Sequence, residues 1–446
     1  MLNTDREYLR ARLDNLVFAE NAVKSCLKRV YIRDYIPGQV IYNLGEYPAR
    51  FAIRPTVYDE ERLASLAAMG VGLVQIHEEW NDAIRVLGAD KYTSHDPAGL
   101  KEFIDLCHAH GLKVIPYISS GFFDVRDPDF RASFATNGSH VLDSAHYRYQ
   151  SCDPASPDWN AYLLPRVEAI LDTYDFDGLF NDMGYASPYP EKEVGYLHEN
   201  PVFEDLLCRL YTLVRSRGGI MKIHEGFCTC PATREKVYDY LWVGECVRNA
   251  DDVLETAKFE PFVVPCPDFR FTPEAEQQRY FARTVPFLQF MLRPDGRPVT
   301  GERVNVPGIA YTDNPQNDEK AHYERVRRWY DAHPAGPHVY SEWSAIPDSE
   351  TMREAWAAHL AIYKPMVKDD SAAFIDVTQS TLTVGELPDG VHMSVFYNEK
   401  CYLCLSNLTE TVKTVVFSQE WHDRRTGKRL RERKIAPYEV VYLEKA

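Results

Sequence analysis

From residue 38 onward the chain alternates short, continuously apolar runs with stretches whose apolar residues recur at helical spacing, and this repeat constrains the fold more than any other feature. VIYNLG (40–45) is followed by DEERLASLAAMG (59–70), and VGLVQIHEEW (71–80) by DPAGLKEFIDLCHAHG (96–111). In the second pair Asp96 is an N-cap, Pro97 takes the first helical position and Gly111 is a natural stop. The apolar runs LKVIPYISSGF (112–122), FDGLFNDMGY (176–185), IMKIHEGF (220–227), LWVGECV (241–247) and PFVVPCPDF (261–269) continue the alternation. Strands that are apolar throughout belong to a parallel sheet covered on both faces, so the repeat predicts an α/β fold, a (β/α)8 TIM barrel. For the eighth strand VPFLQFMLRP (285–294) is the leading candidate and PHVYSEW (337–343) the rival. EKAHYERVRRWYDAH (319–333) and SETMREAWAAHLAIYKPM (349–366) read as closing helices.

Near Asp370 the period changes from helical to two-residue alternation between turn residues, which predicts a small C-terminal antiparallel β domain. The expected organisation is an N-terminal helical extension (1–37) docked outside the barrel, a catalytic barrel (38–368) and a β-sandwich-like domain (370–446). With 66 acidic against 50 basic residues the net charge is −16, a balance that repels phosphate backbones and argues against a nucleic-acid partner. No segment approaches the roughly 20 apolar residues of a membrane span, and the first 30 residues lack an export signal. A cytoplasmic protein with reduced thiols is therefore expected. Cys228 with Cys230, and Cys401 with Cys404, lack the spacing of zinc half-sites, so neither a metal nor another cofactor is expected. A homo-oligomer is compatible with this composition.

In a barrel the chemistry sits at the C-terminal ends of the strands. Those ends carry His77, Glu78, Glu79 and Trp80 on strand 2, Tyr117 and Ser119 on strand 3, and Asn181 and Asp182 on strand 4. His224 and Glu225 follow on strand 5, Glu245 on strand 6, and Asp268 with Arg270 on strand 7. Carboxylates interspersed with His, Trp and Tyr suit an uncharged, polyhydroxylated ligand, and glycoside hydrolysis needs two carboxyl groups across the scissile bond. Asp182 stands where a continuous apolar strand breaks into Met-Gly, while Asp177 and Gly178 already supply the entry turn of that strand. Glu245 lies between Val243 and Val247, and burying an unpaired carboxylate favours the protonated form that a general acid requires. Glu225 in KIHEGF has nearly the same context, so local chemistry does not separate the two. Glu78 and Glu79 point to opposite faces of an extended strand, so at most one lines the cavity. His77, Trp80 and Tyr117 are expected to shape the sugar subsite.

The phrase FDGLFNDMG resembles the segment that ends in the aspartate nucleophile of the α-galactosidase and α-amylase-like retaining glycoside hydrolases. LWVGECVRNADD is similar to the strand-6 segment of the α-galactosidase-like group. The resemblance spans about residues 38–368 and implies a retaining glycosidase for an α-linked substrate, with Asp182 as nucleophile and Glu245 as acid/base. The α-amylase-like group takes its acid from strand 5, which points instead to Glu225. Asn181 departs from the α-galactosidase pattern, which has a Lys before its nucleophile. The expected function is hydrolysis of a small carbohydrate or glycoside, with His77, Glu78, Trp80, Tyr117, Asn181, His224, Asp268 and Arg270 binding it. The alternative is a non-catalytic sugar-binding barrel whose acids only hold hydroxyls.

Overall fold

The computed structural model describes residues 5–44, 53–77, 80, 92–94, 96–125, 127, 129–135, 141–143, 148–182, 192–194, 197–199, 201–224, 230–232, 237–244, 262–266, 274–297 and 350–446. Two compact units are present: Gln39–Cys246 with Arg293–Asp348, and Met1–Gly38 with Val247–Leu292 and Ser349–Ala446.

The first unit holds barrel strands 1 to 6, Gln39–Asn43, Leu73–Ile76, Lys113–Ser119, Gly178–Asp182, Ile220–His224 and Tyr240–Val243, together with strand 8, Arg293–Gly296. Strand 7, Val263–Pro265, completes an eight-stranded sheet in which strand 8 lies beside strand 1. The Leu292 N–H donates to the Pro265 carbonyl at 2.7 Å just before strand 8 begins. The fold is a TIM barrel with an additional antiparallel sheet, as the repeat predicts.

Local signals explain most of the barrel helices. Helix Val57–Met69 opens on a Thr56/Asp59 capping box and ends at Gly70 with φ 97°, and helix Pro97–Ala109 is capped by the Asp96 side chain accepting from the Gly99 N–H. Gly178 has φ 146°, and a side chain there would collide with the backbone of Ile220, so strands 4 and 5 can approach only over a glycine. Loops at the strand ends build two small sheets. One consists of Phe122–Asp124, Val141–Asp143 and Arg148–Ser151, the other of Lys192–Val194, Leu197–Glu199 and Cys230–Ala232.

Strand 8 starts at Arg293, near the end of the leading candidate and well before the rival. Val285–Phe287 forms a single 3-10 turn, and Leu288 has φ 60°, so the apolar run before Arg293 is buried but not extended. Burial made that run look like a strand; Pro286 and the left-handed Leu288 prevent it. The rival at 337–343 and the helix at 319–333 lie outside the described residues, while the helix expected at 349–366 is Glu350–Tyr363 followed by a short 3-10 turn.

The N-terminal extension is more than helical. Helix α1 (Arg6–Ala22), capped by Asp5, runs into strand β1 (Val23–Tyr31), which pairs antiparallel with Ala372–Ser380 at the edge of a seven-stranded sheet. Exposed Lys24, Lys28 and Arg29 interrupt the apolar alternation of β1 and hide the strand in the sequence. The sheet continues through Val391–Tyr397, Cys401–Asn407, Val440–Lys445, Lys413–Asp423 and Arg429–Ile435, with Phe374, Met393, Leu403 and Trp421 in its core. Residues 1–38 and 247–292 thus cluster with this sheet, a division different from the boundaries at 37 and 370. Among the described residues no helix is long and apolar enough to cross a membrane.

Two buried ion pairs join helix Val57–Met69 to strand 8 and the residue after it. Arg62 chelates Asp295, and Arg297 binds Asp59 at 2.9 Å while donating to the Leu44 carbonyl at 2.8 Å. Asp59 also accepts from the Tyr42 hydroxyl at 2.7 Å. Burial works to raise the Asp59 carboxyl, but the Arg297 guanidinium outweighs it and holds the group below its usual value. Arg297→Met strands a buried carboxylate and should lower stability by roughly 3–5 kcal/mol at neutral pH. The depressed carboxyl contributes stability that is lost as pH falls through its folded value, so the deficit of the variant should shrink toward acid. Urea titrations of both proteins at neutral and acidic pH check this, and an unchanged deficit across pH would refute it.

Candidate active site

Strand alternation decides which side chains meet inside the barrel. Tyr117 lies level with Phe180, and Ser119 with Asp182; Lys222 lies level with Phe180, and His224 with Trp242. The shared face of strands 3 to 6 therefore carries Tyr117, Phe180, Asp182, His224 and Trp242, and His77 joins it from the end of strand 2. Phe180 is the hub of this group: its ring lies 5.7 Å from Tyr117, 6.2 Å from His77, 6.3 Å from His224 and 5.6 Å from Trp242. His77 packs on Tyr117 at 4.8 Å and His224 on Trp242 at 4.2 Å.

Asp182, half-buried at the end of strand 4, is the carboxylate of this ring among the described residues. The Tyr117 hydroxyl donates to its Oδ2 at 2.6 Å, and its backbone carbonyl accepts from the Ser120 N–H at 2.9 Å. Both strand ends are thereby held in register, and one carboxyl oxygen has a fixed orientation. His224 is buried beside it. Burial pushes this imidazole down to about 4; the charge of Asp182 works against the shift and His77 adds to it. His224 is consequently a neutral ring at neutral pH, able to donate from one nitrogen and accept at the other.

Two expected binding residues serve a different purpose. Asn181 lies on the opposite face of strand 4 from Asp182 and is buried; its Oδ1 accepts from the Ser120 N–H at 3.1 Å and its Nδ2 donates to the Ser120 hydroxyl at 2.8 Å. It ties strand 4 to strand 3 rather than facing a ligand. Trp80 is wholly buried, edge-on to Tyr174 and Phe176, and its indole N–H donates to the Tyr117 carbonyl at 2.9 Å. It is a core residue that positions Tyr117, because an aromatic after a strand is as readily turned inward as outward. Glu78, Glu225, Glu245, Asp268 and Arg270 lie outside the described residues.

Sequence reasoning missed Phe180, Trp242 and Lys222. Lys222 is fully buried and donates from Nζ to Gln39 Oε1 at 3.0 Å, joining strand 5 to strand 1 through the barrel interior. The i, i+2 spacing of Phe180 with Asp182, and of Lys222 with His224, is the signal that could have found them. Among the described residues no cluster of His, Cys, Asp or Glu has the arrangement of a metal site.

No family model matches the sequence, and no curated protein is similar to it. The fold is similar to solved structures at low identity. A noncanonic maltogenic alpha-amylase from Thermotoga neapolitana shares 12% identity at a TM-score of 0.54, over 92% of this chain and 99% of that one. An alpha-glucosyl transfer enzyme shares 13% at 0.54, over 95% and 100%. An alpha-galactosidase from Geobacillus stearothermophilus shares 11% at 0.51, over 93% of this chain and 56% of that one. Likeness at this level establishes a common barrel fold.

The state of His224 has a consequence for stability. Its folded pKa lies below the ordinary 6.5, so between about pH 6.5 and 4 the unfolded chain binds more protons and stability falls as the solution is acidified. The loss from this group should reach roughly 3 kcal/mol near pH 4. Thermal unfolding of the wild type and of His224→Asn at neutral pH and near pH 4 should show a shallower acid loss in the variant. Parallel profiles would remove His224 from this account.

Proposed function

We propose that this chain is a retaining glycoside hydrolase acting on an uncharged α-linked sugar, with Asp182 as the nucleophile. The observation that carries the reading is the half-buried Asp182 carboxyl at the end of strand 4, oriented by the Tyr117 hydroxyl and flanked by a neutral His224. The strand-4 resemblance to α-glycosidases and the likeness of the barrel to amylase, glucosyl transfer and galactosidase structures support it.

In this mechanism an Asp182 oxygen attacks the anomeric carbon as the bond to the leaving-group oxygen breaks, and the acid/base residue gives that oxygen its proton. The products are a covalent glycosyl ester on Asp182 and a free alcohol. The same acid/base residue then takes a proton from water, whose oxygen attacks the anomeric carbon and releases the sugar with Asp182 regenerated. Glu245 is the first candidate for the acid/base role and Glu225 the second. Retention requires a carboxyl separation of roughly 5–5.5 Å from Asp182. His77 and His224 offer donors and acceptors to sugar hydroxyls. Phe180 and Trp242 keep the floor apolar, which strengthens every electrostatic contact above it.

The test is a panel of aryl α- and β-glycosides with the purified protein and its variants. Asp182→Asn should reduce turnover of every substrate by several orders of magnitude while sugar binding persists; full turnover in this variant sinks the mechanism. Binding with no turnover in the wild type supports the sugar-binding barrel instead. Of Glu245→Gln and Glu225→Gln, the acid/base variant should lose rate on poor leaving groups far more than on activated aryl glycosides.

A separate expectation concerns Tyr117. Removing a hydrogen bond to a charged group costs about 1.5–3 kcal/mol, so Tyr117→Phe should lower kcat roughly 10- to 100-fold. KM should change little, because the lost contact is to Asp182 and not to the sugar. A raised KM at unchanged kcat would return Tyr117 to the role of a sugar-binding residue.

A further inference from the structure

Helix α1 has two faces. Asn15, Ala19 and Ala22 are buried, whereas Leu9, Leu13 and Val17, spaced i, i+4, i+8 on the opposite side, are 44%, 57% and 52% exposed. Half of the large apolar side chains exposed among the described residues lie between Leu9 and Tyr31. A continuous apolar stripe of this kind marks an interaction surface, whereas scattered exposed leucines need no explanation. The neighbouring edge strand β1 is guarded by Lys24, Lys28 and Arg29, which discourage strand addition. Along its stripe the helix carries charge only at the two ends, at the exposed Arg6 and Glu20.

The charges flanking the stripe are self-complementary. Arg10 and Asp14 are exposed on one flank, and neither has a partner among the described residues. If two copies of α1 pack antiparallel about a twofold axis at Leu13, each residue lies level with the one equally far on the other side of Leu13. Leu9 then meets the partner's Val17 and Leu13 meets its own copy once on the axis, while Arg10, about 3 Å off level, reaches the partner's Asp14; the first and last of these pairs are each formed twice. A parallel pairing would put the two copies of Arg10, and of Asp14, on opposite flanks of the seam, where neither charge meets its opposite. The charge pattern thus selects a second copy of this chain, in the antiparallel sense, as the occupant.

We propose that α1 is a homodimerisation helix, closed on a second copy through Leu9, Leu13 and Val17 with Arg10 and Asp14 setting its direction. The helix has 17 residues, roughly 25 Å at 1.5 Å per residue. Contact between two such stripes is at the small end of specific interfaces, so the dimer should be reversible and concentration-dependent. The proposal is independent of the glycosidase reading, since none of these residues belongs to the candidate active site.

Sedimentation equilibrium of the full chain across the micromolar range tests it. The average mass should rise from 51.3 kDa toward twice that value. Leu13→Glu should weaken association at least tenfold while leaving turnover per chain unchanged. Arg10→Asp and Asp14→Arg should each weaken it, and the double exchange should restore it. With wild type as the baseline for native cysteines, Leu13→Cys should cross-link to itself. Leu9→Cys alone should not, whereas Leu9→Cys combined with Val17→Cys should. A single-chain mass at every concentration overturns the proposal, as does a dimer that survives Leu13→Glu. Self-cross-linking of Leu9→Cys as efficient as that of Leu13→Cys would refute the antiparallel arrangement.

Discussion

The seam between the first and last barrel strands rests on charge, and the rest of the barrel depends on it. Asp59 and Asp295 are both buried carboxylates, and each is met by an arginine from the other side of the seam, with Arg293 also 3.5 Å from Asp295. Arg297 does more than neutralise Asp59: it also takes the carbonyls of Leu44, Ile53 and Arg54, so the chain leaving strand 1 and the chain entering the first helix are gathered on one guanidinium. A hydrophobic seam could supply comparable stability, but it would leave the part-buried carbonyls of Leu44 and Ile53 without this donor.

With the strands held in register, the candidate active site follows from alternation. Asp182, His224 and Tyr117 converge because each stands an even number of residues along its strand from another inward side chain. Their surroundings divide the work. Phe180 and Trp242 form a dry floor, Trp80 and Asn181 fix the ends of strands 3 and 4, and Tyr117 sets the Asp182 carboxyl. Level with Phe180, Lys222 is buried among barrel side chains and reaches Gln39 on the first strand.

The parts of this arrangement legible in the sequence are those governed by local physics. A run such as GLFND, bounded by turn residues, reads as a covered parallel strand, Asp96-Pro97 reads as a helix start, and Asp182 is conspicuous because it ends an apolar strand whose turn residues are already accounted for. Strand β1 was illegible because an edge strand is half solvated and carries lysines where alternation would demand apolar residues. The eighth strand was misplaced because residues 285–292 are as buried as any strand, and burial does not report φ. Trp80 and Asn181 read as ligand contacts because position along a strand does not reveal which way the chain turns after it.

By itself the sequence determined the barrel class, the presence of a C-terminal β domain and the identity of the acidic residue ending strand 4. Periodicity and turn chemistry act over a few residues and survive translation into structure. Only the tertiary structure decided which side chains share a face, that Asp182 is held by Tyr117, that His224 is neutral, and that the N-terminal segment lends a strand to a sheet more than 340 positions away in sequence, where Val30 pairs with Ala373. Those outcomes depend on strand register and on burial, and both are set by contacts between residues that the linear order keeps far apart.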